Sequence, residues 1–260
     1  MDQQAPVVCS ECAGTGFVIS ERDGVSRARI CSCRQVARRP GDLPAMLESA
    51  RVPRRYSECE FENYDAYGDH ALSLGNAKAA ARRYTEEYPL SDRGLLLMGP
   101  PGVGKTHLSV AILRRLLVEK GVLGLFCDVQ DLLRQLQSTF DSKSGMTQLD
   151  LLQPVLAAEV LVLDDLGGRQ FSPWVEETLA HIVTTRYNER RATLVTTNYL
   201  DDPPDARTPT LSDRIGVRVR SRLHEMCHLV LIQSQDFRSA IRRADHHRDS
   251  DGIGRPREHL

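Results

Sequence analysis

The sequence predicts an α/β domain built on a parallel sheet with helices on both faces. The first observation behind this is a set of strand-length runs that are apolar nearly throughout: Gly94-Leu95-Leu96-Leu97-Met98, Val160-Leu161-Val162-Leu163 and Ala192-Thr193-Leu194-Val195-Thr196. A strand with one wet face alternates, so strands of this kind are covered on both sides. The second is that stretches with helical spacing separate them and supply the crossovers a parallel sheet needs. The third is a glycine-rich run, residues 99–106, set between one such strand and a helix.

Taken in order, residues 1–35 form a cysteine-bearing module. Asp23-Gly24 lies between Gly16-Phe17-Val18-Ile19 and Ala28-Arg29-Ile30, which predicts a two-stranded hairpin. Residues 36–70 read as a connector punctuated by Pro40, Pro44 and Pro53, with a short helix over 45–50. The main domain, 71–244, opens with an alanine- and charge-rich helix over 71–87 and the strand at 94–98. A helix over 105–119 and a strand over 122–127 follow. Val129, Leu132, Leu133, Leu136 and Phe140 recur near helical period and predict an amphipathic helix over 129–140. Beyond it come a helix over 149–158, the strand at 160–163, a helix over 173–189 and the strand at 192–196. An arginine-rich helix and a last strand over 229–232 complete the domain. Residues 245–260 are polar and predict a disordered tail.

Composition sets bounds on partners. With 34 basic and 35 acidic side chains the net charge is −1, so any nucleic-acid contact must come from a local patch. The start, Met1-Asp2-Gln3-Gln4, lacks the basic and long apolar regions of a signal peptide. No apolar run approaches the roughly 20 residues that cross a bilayer. The expectation is a soluble, cytoplasmic protein with no membrane partner.

Residues Gly99-Pro100-Pro101-Gly102-Val103-Gly104-Lys105-Thr106 match G-x-x-x-x-G-K-[ST]. Glycines in this pattern let successive backbone N–H groups converge on phosphate oxygens. The helix that follows points its positive end at the same anion. Lys105 is expected to neutralise the β- and γ-phosphates and Thr106 to hold Mg²⁺ through its hydroxyl. The strand before and the helix after are the context the motif requires, so these residues, with His107 beside them, are assigned to ATP.

Leu161-Val162-Leu163-Asp164-Asp165 puts two carboxylates at the C-terminal end of a buried strand. Asp164 is expected to take the Mg²⁺ and Asp165 to polarise the attacking water, a place where Glu is commoner. For Asp165 the alternative is a plain cap of the next turn. At the end of the following strand, in Thr196-Thr197-Asn198, Asn198 would orient that water, with an ordinary turn-forming Asn as the alternative.

From Asp213 to Leu223 the sequence predicts one helix on which Arg214, Arg218 and Arg222 repeat at i, i+4 and i+8. Like charges so spaced repel unless an anion faces them. A neighbouring subunit's ATP is one candidate, since an arginine supplied in trans stabilises the γ-phosphate in transit; a solvated face is the plainer account. Arg238 follows the last strand and would reach the nucleotide of its own subunit. At the other end of the chain, Cys9-x-x-Cys12 and Cys31-x-Cys33 flank the hairpin, as a tetrahedral Cys₄ site for structural Zn²⁺ requires. Four reduced, unliganded thiols are the alternative.

The cradle extended as Gly104-Lys105-Thr106-His107-Leu108, the run Leu161-Val162-Leu163-Asp164-Asp165-Leu166-Gly167 and then Thr196-Thr197-Asn198 together resemble the DnaC/DnaI/IstB group of AAA+ ATPases. Arg51-Val52-Pro53-Arg54-Arg55-Tyr56 is similar to the Pro-Arg-Tyr segment of that group. The resemblance covers about residues 45 to 240. It implies an AAA+ three-layer sandwich with sheet order 5-1-4-3-2, working as a homo-oligomer with ATP at subunit boundaries. Arg222 matches the arginine finger, Arg218 a second inter-subunit arginine, and Arg238 the second sensor arginine. Only 28 residues follow Ile232, too few for a helical lid of several helices near 11 residues each, so a reduced or absent lid is expected.

Two jobs are common in the group: loading a replicative helicase onto single-stranded DNA, and assisting a transposase. The cysteine module favours the loader. A non-enzymatic adaptor switched by ATP is the third possibility. In initiator-type relatives inserted helices line a DNA channel, which assigns single-stranded DNA to the 129–140 helix and its loop, with Arg134 and Lys143. An ordinary packing helix is the competing account.

Overall fold

The computed structural model describes residues 17–22, 25–30, 42–66, 68–91, 93–141, 147–169, 172–205 and 207–237. Near the N-terminus, β1 (Phe17–Arg22) pairs antiparallel with β2 (Val25–Ile30), Phe17 opposite Ile30; the Asp23-Gly24 turn between them lies outside the described residues. The α/β part begins with α1 (Leu43–Ser49), α2 (Ala71–Glu87), β3 (Gly94–Met98) and α3 (Lys105–Arg115). It continues through β4 (Gly124–Asp128), α4 (Val129–Asp141), α5 (Gln148–Ala157) and β5 (Val160–Leu166). The last elements are α6 (Pro173–Asn188), β6 (Ala192–Thr197), α7 (Leu211–Ile215), α8 (Val217–Met226) and β7 (Cys227–Leu231).

The five strands β3 to β7 form one parallel sheet in the order β4-β5-β6-β3-β7. Numbered from β3 and read from the other edge, this is the expected 5-1-4-3-2. Strand side chains point alternately to the two faces, and here both sets are apolar. Leu95, Leu97, Val160 and Val162 pack under α2 and α3 through Ala77, Ala81, Leu108, Ile112 and Leu113. Leu96, Met98, Leu161 and Leu163 pack under α4, α6 and α8 through Leu133, Leu136, Leu179, Ile182 and Leu223. Each such buried side chain stabilises by roughly 1.5–3 kcal/mol, so the sheet with its two apolar faces dominates the core. At the β4 edge the chain after α1 takes a ladder position, with Phe126 N–H donating to the Ala50 carbonyl at 2.7 Å, which covers the exposed strand edge.

One expectation is corrected. The arginine-rich stretch is two helices, α7 and α8, divided at Gly216. A Thr210–Asp213 capping box starts α7. Gly216 then takes φ +83° and ψ 148°, and a Cβ there would overlap the Glu176 carboxylate. Arg214 therefore leaves the row, and only Arg218 and Arg222 share a helix. The helix over 105–119 also changes character: its α-turns stop at Arg115, and a π-turn, Leu116–Lys120, ends at Gly121.

Candidate active site

The glycine-rich loop joins β3 to α3, at the C-terminal edge of the sheet. Gly102 and Gly104 hold φ of +79° and +87°, a region that costs side chains dearly. The space is closed too: a Cβ at Gly102 would overlap the Asp236 carboxylate, and one at Gly104 the Tyr64 ring. The loop is thus a bare-backbone cradle that ends at the positive N-terminus of α3, which fits a phosphate chain. Lys105, 7 % exposed, folds over the loop, and its ammonium donates to the Gly99 and Pro100 carbonyls, each at 2.7 Å.

Across from the cradle, Thr106 Oγ1 donates to Asp164 Oδ1 at 2.8 Å. The same oxygen accepts from Thr196 Oγ1 at 2.7 Å, and Thr196 Oγ1 accepts from the Asp165 N–H at 2.9 Å. A hydroxyl and a carboxylate at this spacing are the donor set a Mg²⁺ ion takes beside phosphate. Burial pushes the Asp164 carboxyl pKa up, and the two hydroxyl donors oppose it.

Asp165 is presented by an irregularity: the β5–β6 register shifts between Leu163 and Leu166, and Asp165 sits at φ +56°. Bulges re-aim side chains in this way, and Asp tolerates the left-handed region better than most residues. Its Oδ1 accepts from Asn198 Nδ2 at 2.9 Å, and its Oδ2 from Gln130 Nε2. The structure thus brings Lys105, Thr106, Asp164, Asp165 and Asn198 to one place.

Beside the loop a cleft is lined by Asn63, Tyr64, Asp65, Leu74, His107 and Phe237. Tyr64 donates its hydroxyl to the Val103 carbonyl at 3.0 Å and stands edge-on to the His107 ring. His107 Nε2 lies 2.7 Å from the Glu60 carbonyl. Val103 itself is buried, so it serves the cradle through its backbone. Sequence reasoning missed Asn63, Tyr64, Gln130 and Thr196. Only Thr196 carried a signal, as the first residue of the motif that named Asn198.

The remaining candidates lie apart. Arg218 is exposed and Arg222 half-buried. Neither has a hydrogen-bonded or ion-paired partner among the described residues, and Arg222 sits beside Tyr187 rather than at its own cradle. Arg238 lies outside the described residues, although Phe237 before it donates its N–H to the Gly102 carbonyl at 3.2 Å. Cys9, Cys12, Cys31 and Cys33 also lie outside them, as does Lys143. Among the described residues no group of three or more His, Cys, Asp or Glu is placed to hold a metal. Of α4, Val129, Leu132, Leu133 and Leu136 are buried, while exposed Arg134 pairs with Asp131 at 3.2 Å. No helix among the described residues is long and apolar enough to cross a membrane.

Comparison with known proteins places this geometry. The family model for IstB-like ATP binding protein matches residues 48–244. The replicative helicase loader DnaC of Escherichia coli (strain K12) is 30% identical over 165 residues, which span 64% of this chain and 64% of that protein. DnaC of Buchnera aphidicola subsp. Schizaphis graminum is 32% identical over 158 residues, 60% and 62% of the two chains. The chain thus spans just under two thirds of the length of the curated relatives it matches. A crystal structure of the DnaC helicase loader superposes with a TM-score of 0.60 at 34% identity, covering 70% of this chain and all of that one. A crystal structure of DnaI gives 0.55 at 25% identity, covering 71% and 93%. DnaA from Aquifex aeolicus bound to AMPPCP shares the fold, with a TM-score of 0.52 at 19% identity over 79% of this chain and 58% of that one.

Proposed function

The chain belongs to the IstB-like ATP-binding protein family, and from that premise we propose that it is a Mg²⁺-dependent ATPase that acts as a helicase loader. The hydrogen bond from Thr106 to Asp164 carries this reading, because it joins the end of a phosphate cradle to a buried carboxylate. The cradle of residues 99–106 holds the phosphates, and the cleft beside it, lined by Asn63, Tyr64, Asp65, Leu74, His107 and Phe237, takes the base. Lys105 turns from the loop carbonyls to the β- and γ-phosphates. Thr106 and Asp164 would hold Mg²⁺, which would supply positive charge beside the phosphates. Asp165, kept in place by Asn198 and Gln130, orients the water in line with the γ-phosphorus.

Arg222, with Arg218 on the same helix, has no partner in its own chain among the described residues and is assigned to the γ-phosphate of a neighbouring subunit. Arg238 follows a segment packed on the cradle and is assigned to its own subunit's nucleotide. The working form is therefore a homo-oligomer. Single-stranded DNA and a replicative helicase are its proposed partners, by similarity to DnaC and DnaI. Cys9, Cys12, Cys31 and Cys33 are proposed to bind structural Zn²⁺. The Phe17–Ile30 pairing supports this, since both cysteine pairs join the hairpin at that end. Metal analysis checks it: Cys9→Ser should lower zinc content, and unchanged zinc refutes the site.

The resemblance to the IstB members of the group supports a second reading, a transposition helper, in which the same ATPase serves a transposase. Capture of native partners separates the two. A hexameric helicase co-purifying in the presence of ATP supports the loader, and a transposase in its place supports the helper. A Lys105→Ala protein that binds ATP normally would overturn the ATPase assignment itself.

A further inference from the structure

Arg214 makes contacts that neither the cradle nor an inter-subunit arginine accounts for. Its Nε donates to the Gly167 carbonyl at 2.8 Å. One terminal nitrogen donates to the Arg169 carbonyl at 3.0 Å and approaches that of Gly168 at 3.3 Å. The guanidinium also lies 4.7 Å from the centre of the Tyr199 ring. A planar fork that stacks while donating is a property of arginine and not of lysine.

These partners flank the water-orienting pair. Gly167 to Arg169 form the turn that follows Asp164-Asp165, and Gly168 N–H donates back to the Asp165 carbonyl at 3.2 Å. A Cβ at Gly168 would overlap both the Asp165 carboxylate and the Gln130 amide, so the turn presses directly under that carboxylate. Tyr199 follows Asn198, which holds the carboxylate from the other side. The helix that carries Arg214 is pinned to the same strand end, with Leu211 N–H donating to the Leu200 carbonyl at 2.8 Å. Downstream, α7 passes through Gly216 straight into α8, which bears Arg218 and Arg222. The α8 helix is tied to the same loop again, by Arg220 Nε donating to Asp201 Oδ1 at 2.6 Å.

We propose, building on the shared-site reading above, that Arg214 is a positioning residue that serves two ATP sites at once. In its own subunit it fixes the turn beneath Asp165 and the approach of Asn198. Through α7 and Gly216 it sets the angle at which α8 presents Arg222 to the neighbour. One side chain thus joins the site that hydrolyses to the arginine that completes the next site.

Mixed assemblies of full-length chains separate the two roles. A Lys105→Ala chain keeps Arg222 but lacks a working cradle, and an Arg222→Ala chain keeps the cradle but lacks the donated arginine. Turnover in the mixture arises where one faces the other. R214M is placed first on the Arg222→Ala chain, to read its own site, and then on the Lys105→Ala chain, to read the donated arginine. Each placement should lower kcat by about tenfold, with KM for ATP and thermal midpoint near those of the parent mixture. R214K, which keeps one donor but not the fork, should fall between. An effect from only one placement, or from neither, overturns the dual role. So does a loss of kcat that R214M shares with a collapse of ATP binding or of the folded state. If Lys105→Ala and Arg222→Ala chains fail to complement before Arg214 is touched, the shared-site reading fails. The own-site half is then still read in the R214M single variant, whose unchanged turnover would refute it.

Discussion

Asn198 Nδ2 donates to Asp165 Oδ1 at 2.9 Å, across the gap where β5 and β6 lose their regular pairing. Both side chains leave C-terminal strand ends, and Gln130 from α4 holds the other carboxylate oxygen. If this pair orients the attacking water, Asp165→Asn should lower kcat by about 10²–10³ while leaving KM for ATP near its parent value. Asn198→Ala should lower it by about tenfold to a hundredfold, because the carboxylate remains. Steady-state phosphate release at saturating ATP measures both. Parent-like turnover in Asp165→Asn would remove Asp165 from the chemistry.

Asp164 carries a different signature. Burial pushes its carboxyl pKa above the ordinary value, so the charged form costs stability in the metal-free fold. The sign follows from linkage. A folded-state pKa above the unfolded one gives stability that is present at low pH and is lost as pH rises through the folded value. Asp164→Asn keeps an oxygen for Thr106 and Thr196 but carries no charge. In the absence of metal it should melt above the parent at neutral pH, with the gap closing in acid, while Mg²⁺-dependent turnover is lost. A variant that melts below the parent at neutral pH would contradict the burial cost.

Much of this architecture is legible in the sequence because the chemistry is local. Leu95 to Met98 read as a doubly covered strand from apolarity alone. The cradle, the acidic pair and Asn198 each sit where a strand runs out. What is not legible depends on backbone geometry or distant packing. The break at Gly216 follows from a close approach to Glu176, which lies far away in sequence. The helical period of Arg214, Arg218 and Arg222 therefore misleads. Tyr64 and Gln130 reach the site only through tertiary contacts, and no spacing announces them. Thr196 lies inside Thr196-Thr197-Asn198, but its two hydrogen bonds to the acidic pair form where the β5–β6 register shifts, which no spacing shows.

Arg222 tests whether the site is shared. Half-buried beside Tyr187, it has a guanidinium Nε with no hydrogen-bond partner among the described residues. Supplied to a neighbour, it would stabilise charge developing on the γ-phosphate, a role worth about 10³–10⁵ in rate. Arg222→Ala should therefore lose turnover on that scale and bind ATP nearly as the parent does, read by fluorescence titration with a labelled ATP analogue. Loss of nucleotide binding in the same variant would place Arg222 in its own cradle's support and sink the trans assignment.

At the end of the sheet opposite the cradle lies a buried cation. Arg186, with 0% exposure, donates Nε to Thr193 Oγ1 at 2.9 Å and terminal nitrogens to the carbonyls of Val155 at 3.0 Å, Ala158 at 2.9 Å and Ala192 at 2.6 Å. It thereby satisfies carbonyls at the C-terminal end of α5 and joins them to the start of β6, work that backbone N–H groups cannot do there. Burial pulls its pKa down to about 9, which still leaves it ionised at neutral pH, facing carbonyl dipoles. Arg186→Met fills much of the volume but leaves buried acceptors without donors, each costing about 1–3 kcal/mol if water cannot reach them. A net loss of roughly 3 kcal/mol is expected, a fall in melting midpoint of roughly 6–12 °C for a domain of this size. Scanning calorimetry of the ATP-free protein measures it. Because Arg186 is remote from the cradle, ATP affinity well below the midpoint should be unchanged. A shift under about 2 °C would mean that water replaces the guanidinium and that the cation is not what holds α5 to β6.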